Sequence, residues 1–297
     1  MSGLQLVLPG QVIATSTAES AEEDKFLRGH GTYVETSETE DRLIASVCGT
    51  VQRVNKLVLV VPVAPTVYQG QVGDLIVGRV SEVGLSRWKI SLGEQCRHGQ
   101  LPLSGIHLTG GAQRIRTAQD QRDMRYYLQE GDLVSAQVHK VQPADGSLML
   151  HSRSYRYSKL ENGMLVTVPP SLIPRRKNHF ITMINDTLDA LWGCNGYIWI
   201  QRKLPSPSQD SEKELALLQE QLRKEHADTP VTVEERQSMA RLKNAIECLR
   251  IVHCMVTPES AELIYEASVQ KGMNPAQMMI PENVIELTSF VRRETES

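Results

Sequence analysis

The run Val72-Gly73-Asp74-Leu75-Ile76-Val77-Gly78-Arg79-Val80 decides how this chain is read. A Gly-Asp turn opens it, and the β-branched residues that follow favour a strand, because branching at Cβ crowds a helical turn. The same opening returns at Gly131-Asp132, ahead of Leu133-Val134-Ser135-Ala136-Gln137-Val138. Between the two lies Arg87-Trp88-Lys89-Ile90-Ser91-Leu92, where charged and apolar residues alternate as on a half-buried strand. With Leu148-Met149-Leu150 after the turn at 144–146, the spacing is that of a five-stranded barrel.

Residues 118–129 carry Met124 and Leu128 among good helix formers, so one short helix is expected to bridge two strands, as in an OB barrel. Upstream, the short β-branched runs 43–51 and 56–63 predict a small all-β unit. Downstream the texture mixes: apolar 164–168, a Pro169-Pro170 break, basic Arg175-Arg176-Lys177 and strand-like Tyr197-Ile198-Trp199-Ile200. Residues 203–237 begin with a Pro-Ser repeat and hold eight acids against five bases, so an insertion near 203–236 is expected to be a disordered linker. Thr232 and Glu235 make a capping box, and Met239, Leu242, Ile246 and Leu249 then recur at helical spacing. Asn274 and Pro275 sit as N-cap and first-turn residue of another helix. The expected class is mainly β plus α+β. Its parts are an N-terminal β domain over 1–66, a barrel over 67–157 and a mixed domain over 158–297.

The 297 residues are 40% hydrophobic and 23% charged, which excludes a fully disordered, collagenous or coiled-coil chain. No run approaches a membrane span, and the first ten residues lack the pattern of a secretory signal, so an intracellular protein without membrane contact is expected. Five scattered cysteines without a CxxC pair suggest neither a disulfide framework nor a zinc cage. Gly29-His30-Gly31 imitates the start of a dinucleotide fingerprint, but Val34 stands at its sixth position and acids surround it. There is no GxSxG, Walker loop or HExxH, and no Asp-x-Asp cluster. A non-enzyme without metal or cofactor is therefore expected.

A net charge of −3 argues against a free-standing, non-specific nucleic-acid binder, yet bases are locally dense. Arg114, Arg116, Arg122 and Arg125 fall within twelve positions, and 151–180 holds six Lys or Arg against Glu161 alone. Tyr126, Tyr127, Tyr155 and Tyr157 interleave with them. Barrels of this type bind single strands with cationic edges and stacking rings, whereas the plain alternative is that these residues cover a helix and a barrel edge. Gly193-Cys194-Asn195-Gly196 is a GxxG, the backbone clamp of KH modules, but a strand follows where a helix is usual, so a structural turn is an equal reading. Arg28, His30 and Tyr33 either face a partner or fix their own loop.

Taken in order, Leu6-Val7-Leu8-Pro9-Gly10, Arg28-Gly29-His30-Gly31-Thr32-Tyr33, the block 45–57, the block 72–80, the block 128–136 and Gly193-Cys194-Asn195-Gly196-Tyr197-Ile198-Trp199-Ile200 resemble one family. It is the ribosomal RNA-processing protein 4 family, an S1/KH-domain cap subunit of the eukaryotic RNA exosome. The resemblance implies an N-terminal β domain, a central S1-type OB barrel and a C-terminal KH domain with extra helices. It implies a non-catalytic subunit that holds a ring of RNase-PH-like proteins beside other S1/KH cap subunits. Such a cap guides single-stranded RNA to associated 3′-to-5′ exoribonucleases, in nucleus, nucleolus and cytoplasm. RNA contacts are then expected from Arg87, Lys89, Arg114, Arg116 and Arg153, and partner contacts from Arg28, His30 and Tyr33. Pro102 stands where such barrels often carry His, which makes the expected contacts more electrostatic than stacked. For the loop 193–196 the resemblance suggests packing between domains.

Overall fold

A computed structural model describes residues 5–17, 26–37, 40–62, 67–93, 98–106, 117–142, 146–152, 157, 159–203, 221–222 and 225–295. They belong to two compact units, Met1–Pro65 and Thr66–Ser297.

The first unit is built of two small sheets. One runs β1 (Leu6–Val7), β6 (Gly49–Val54), β7 (Leu57–Pro62), β3 (Leu27–Arg28); the other runs β2 (Val12–Thr17), β5 (Glu40–Ala45), β4 (Thr32–Thr36). Val7, Ile13, Leu43, Ala45, Val58 and Val60 form the core. Alternation along β7 buries Val58 and Val60 and turns Leu57 and Val61 outward.

In the second unit, β8 (Leu75–Val83), β9 (Arg87–Ser91) and β10 (Gly99–Pro102) follow one another, and β11 (Leu133–Val141) pairs with β8. β12 (Leu148–His151) pairs with both β10 and β11, which closes the five strands into a barrel, while β13 (Lys159–Leu160) adds to β11. Trp88 is wholly buried at its centre, with Nε1 donating to the Leu128 carbonyl at 3.1 Å. The five-stranded barrel therefore matches the sequence reading. The bridging helix differs: it is two turns, α1 (Ala118–Arg122) and α2 (Met124–Tyr127), split at Asp123 with φ −89° and ψ 12°. Thr117 and Asp120 cap α1 reciprocally, while Met124 and Leu128 sink into the barrel core. Burying both of those side chains takes priority over one straight helix.

The C-terminal sheet runs β14 (Gly163–Thr167), β17 (Tyr197–Arg202), β16 (Leu188–Trp192), β15 (Phe180–Met183). One face, through Leu188, Ala190, Ile198 and Ile200, packs under α3 (Val233–Ile251), α4 (Pro258–Gln270), α5 (Pro275–Met278) and α6 (Pro281–Thr295). From the other face Leu191 and Trp199 meet Leu75 and Val77 of β8. Strands β8 and β17 are thus covered on both sides, which is why they read as continuous apolar runs. The Thr232–Glu235 box starts α3, and the Thr232 backbone N–H holds the Glu235 carboxyl below its usual range. Of the expected linker, 204–220 lies outside the described residues. Residues 225–228 are helical and are tied to the sheet: Asn162 donates to the His226 and Ala227 carbonyls at 2.6 and 2.7 Å, and Arg202 Nε donates to His226 Nδ1 at 2.8 Å. Burial, then the Arg202 charge, holds the His226 imidazole below its ordinary pKa.

Candidate nucleic-acid interface

Because β9 alternates, burying Trp88 and Ile90 forces Arg87 and Lys89 onto the outer wall of the barrel. Register then sets their neighbours. Lys89 faces Glu82 on β8 and Gln100 on β10, so the three form one row across three strands. Arg87 lies two residues along on the same face and donates from Nη1 to Gln100 Oε1 at 2.7 Å. That bond occupies the amide oxygen and leaves the Gln100 NH2 group as a donor toward solvent. An open groove of about 500 Å³ lies over the row, and His98, Ser147 and Trp88 also line it. Two cations and an amide donor beside a concave path suit the backbone of a polyanion. Trp88 is fully buried, so the one exposed ring among the described lining residues is the His98 imidazole.

The other expected contacts divide. Arg114, Arg116, Arg153 and Tyr155 lie outside the described residues. Arg125 pairs with Glu130 at 2.8 Å, and Tyr127 donates its hydroxyl to Asp120 at 3.0 Å. Tyr157 stacks at a tilt on Phe180, 6.0 Å between centroids, whereas Tyr126 is 86% exposed on α2. In the basic run 175–177, Arg175 reaches the buried Asp74 carboxylate at 3.0 Å and Arg176 donates to Glu259 at 2.8 Å. Those two arginines are struts between elements. Sequence alone does not single out Glu82, His98, Gln100 and Ser147; only the pairing of β8, β9, β10 and β12 brings them to the groove.

The loop Gly193-Cys194-Asn195-Gly196 sits against the barrel. Strand β9 ends at Ser91, opposite Arg79, so the edge of β8 at Val77 has no further strand residue to pair with. The Asn195 amide takes that place: Oδ1 accepts from Val77 N at 3.2 Å, and Nδ2 donates to the Val77 and Leu92 carbonyls at 2.7 and 2.8 Å. Asn195 is 3% exposed, and Cys194 N donates to the Leu75 carbonyl at 2.8 Å. Gly196 has φ +91°, and a Cβ there would stand 2.2 Å from the Val168 carbonyl oxygen, so no other residue fits. Every polar group of the Asn195 side chain is spent inside the protein.

Burial, then the Asp74 charge, pushes the Cys194 thiol up to about 11, and burial does the same at Cys248. A thiol of that pKa is only about a thousandth ionised at pH 8, and the thiolate is the nucleophile. Exposed Cys48 is therefore expected to be alkylated in the native protein, with Cys194 and Cys248 labelled only on unfolding. Peptide mapping after a timed iodoacetamide pulse checks this; native labelling of Cys194 at the rate of Cys48 would contradict the docked loop.

In the first unit, Arg28, His30 and Tyr33 are all exposed. Their loop is pinned by its backbone: Gly29 N donates to the Val58 carbonyl and the His30 carbonyl accepts from Val60 N, both at 2.9 Å. Gly31, at φ +72°, would place a Cβ 2.4 Å from the Val60 oxygen. Among the described residues, no group of three or more His, Cys, Asp or Glu could hold a metal ion.

Three family models match this chain in order. They are described as the Exosome complex exonuclease RRP4 N-terminal region over residues 6–54, the RRP4 S1 domain over 67–140 and a KH domain over 163–206. The chain is 40% identical over 264 residues to the Exosome complex component RRP4 of Bos taurus, covering 89% of this chain and 82% of that protein. It is 39% identical over 252 residues to the Arabidopsis thaliana homologue, covering 84% and 76%. Against the Saccharomyces cerevisiae protein the figures are 34% over 293 residues, covering 90% and 77%. With ordered domain matches and this identity across most of its length, the chain belongs to the exosome complex component RRP4 family.

Proposed function

We propose that this chain is a non-catalytic, RNA-binding subunit of an exosome complex. It caps a ring of RNase-PH-like subunits beside other S1/KH cap proteins and guides single-stranded RNA toward an associated 3′-to-5′ exoribonuclease. Its substrates are rRNA, mRNA and non-coding RNA in nucleus, nucleolus and cytoplasm. The observation that carries the RNA part is the row Glu82, Lys89, Gln100 with Arg87 beside it, a cationic groove on the outer wall of an S1-type barrel. Long-range steering by a cationic groove needs no base reading, which suits a subunit that admits many RNAs.

Assembly is supported by the first unit. Register places exposed Leu6 and Val61 in one row through Thr50, and exposed Leu27, Leu57 and Val54 in another, all on the outer face of one sheet. An apolar sheet face of that kind suits burial against another protein. It also favours the second reading, an assembly subunit with no direct RNA contact.

One experiment separates the two. The tagged chain is purified at gentle salt as its complex, and capture of a single-stranded RNA is measured across a salt series for the parent and for R87A/K89A. The expected result is unchanged subunit recovery, weaker capture and a log–log salt slope flatter by roughly 0.7 for each phosphate that is no longer neutralised. Unchanged capture and slope would leave the assembly reading. RNA decay by the isolated chain in magnesium would overturn the non-catalytic assignment.

A further inference from the structure

Glu82 is out of place in a groove for phosphates. A carboxylate one strand away from Lys89, about 4.8 Å in the sheet direction, repels the same anion that Lys89 and Arg87 attract. Nor does it serve as a counter-ion, since neither Glu82 nor Lys89 makes an ion pair among the described residues. It is not core either: the burial pattern of β8 turns from buried to exposed at this end of the strand.

A ribose hydroxyl resolves the conflict. The 2′-OH is the one hydrogen-bond donor on the sugar–phosphate backbone, and it separates RNA from DNA at a given contact. A carboxylate accepts such a proton in a short, charge-assisted bond. A phosphate held by Lys89, Arg87 and the free Gln100 NH2 would bring an adjoining sugar within one strand spacing, the distance at which Glu82 stands. From this arrangement we infer that Glu82 selects ribose over deoxyribose. It accepts from the 2′-OH of RNA and, when that hydroxyl is missing, only repels the strand. The inference rests on the groove being the RNA site, and it assigns to that site a preference for the sugar that Arg and Lys alone cannot supply.

The test uses the full chain, a ten-residue oligouridine and its 2′-deoxyuridine counterpart, which differ by the hydroxyl alone. Four proteins are compared at one salt concentration: parent, Glu82→Ala, Glu82→Gln and R87A/K89A. The parent is expected to prefer the ribose strand roughly tenfold, the size of a hydrogen bond to a charged acceptor. Glu82→Ala should tighten deoxyribose binding about threefold by removing the repulsion and weaken ribose binding about threefold by removing the acceptor, so the preference falls to about one. Glu82→Gln, which keeps an acceptor oxygen, should retain part of it. If Glu82→Ala tightens both strands equally, Glu82 merely repels phosphate and the inference is wrong. The same holds if the parent shows no preference. R87A/K89A separates the underlying reading: unchanged binding of both strands by that variant would remove the groove itself as the site. The three substituted side chains are at the surface, so a common melting temperature is expected.

Discussion

Asn195→Ala is expected to lower the unfolding free energy of the second unit by about 4 kcal/mol, close to half of what a domain of ordinary stability has in reserve. The amide stands in for a strand residue at the edge of β8. Its removal strands three backbone groups, the Val77 N–H and the Val77 and Leu92 carbonyls. Leaving a buried donor or acceptor unmade costs about 1–3 kcal/mol, and the three share one small site, so the sum falls short of full additivity. The damage is not local, because the loop joins the barrel to the sheet whose Leu191 and Trp199 lie on Leu75 and Val77. Asn195→Asp should be nearly as harmful: it keeps an acceptor for Val77 N but sets a carboxylate against two carbonyl oxygens. Denaturant melts followed by Trp fluorescence read the change directly. A loss under about 1 kcal/mol for Asn195→Ala would mean that water replaces the amide and that the loop is not a structural joint.

Such a joint was only half legible in the sequence. The barrel strands announced themselves through β-branched apolar runs after Gly-Asp turns and, in β9, through alternation, and α3 did so through Thr232, Glu235 and the spacing of Met239, Leu242, Ile246 and Leu249. These signals are local. Asn195 meets Val77 across 118 positions, and no periodicity encodes that. The strand that follows the GxxG did hint at a turn instead of a clamp, and burial on both faces of Tyr197-Ile198-Trp199-Ile200 is the reason. Charge was the least legible quantity. Arg175 and Arg176 stand in the densest basic run of the C-terminal half, yet each reaches a carboxylate far along the chain. Arg87 and Lys89, by contrast, lie singly in a strand where alternation alone throws them outward. Density of bases marks where positive residues are, whereas the partner found on folding decides which remain available to RNA. Glu82 and Gln100 escaped for the same reason: they matter only as cross-strand neighbours of Lys89.

Asp74 is where the hidden part of that charge pattern carries most energy. It is 6% exposed and accepts from the Tyr68 hydroxyl at 2.8 Å, from Gln71 N at 2.9 Å and from Arg175 at 3.0 and 3.1 Å. The same turn is built at Asp132, which accepts from Gln129 N at 2.8 Å and pairs with the part-exposed Lys159 at 3.3 Å, but has no buried tyrosine hydroxyl on it. Asp74→Ala is therefore expected to cost about 3 kcal/mol, mostly from the orphaned Tyr68 hydroxyl and Gln71 N–H, and Asp132→Ala about 1 kcal/mol. Arg175→Ala should cost less than Asp74→Ala, because the guanidinium is half exposed and its pairing is screened by solvent, while the carboxylate keeps two neutral donors. Tyr68 gives an independent readout. Burial first, and the Asp74 charge second, raise its pKa well above the ordinary value, so its neutral form is the folded form. That contribution is fully present below the unfolded tyrosine pKa near 10 and is lost as pH rises beyond it. In an ultraviolet titration of the native protein, Tyr68 should stay unionised and should appear only with alkaline unfolding. If Asp74→Ala melts like the parent and Tyr68 ionises while the protein is still folded, the cluster is an incidental contact, and the ordering of these three substitutions collapses with it.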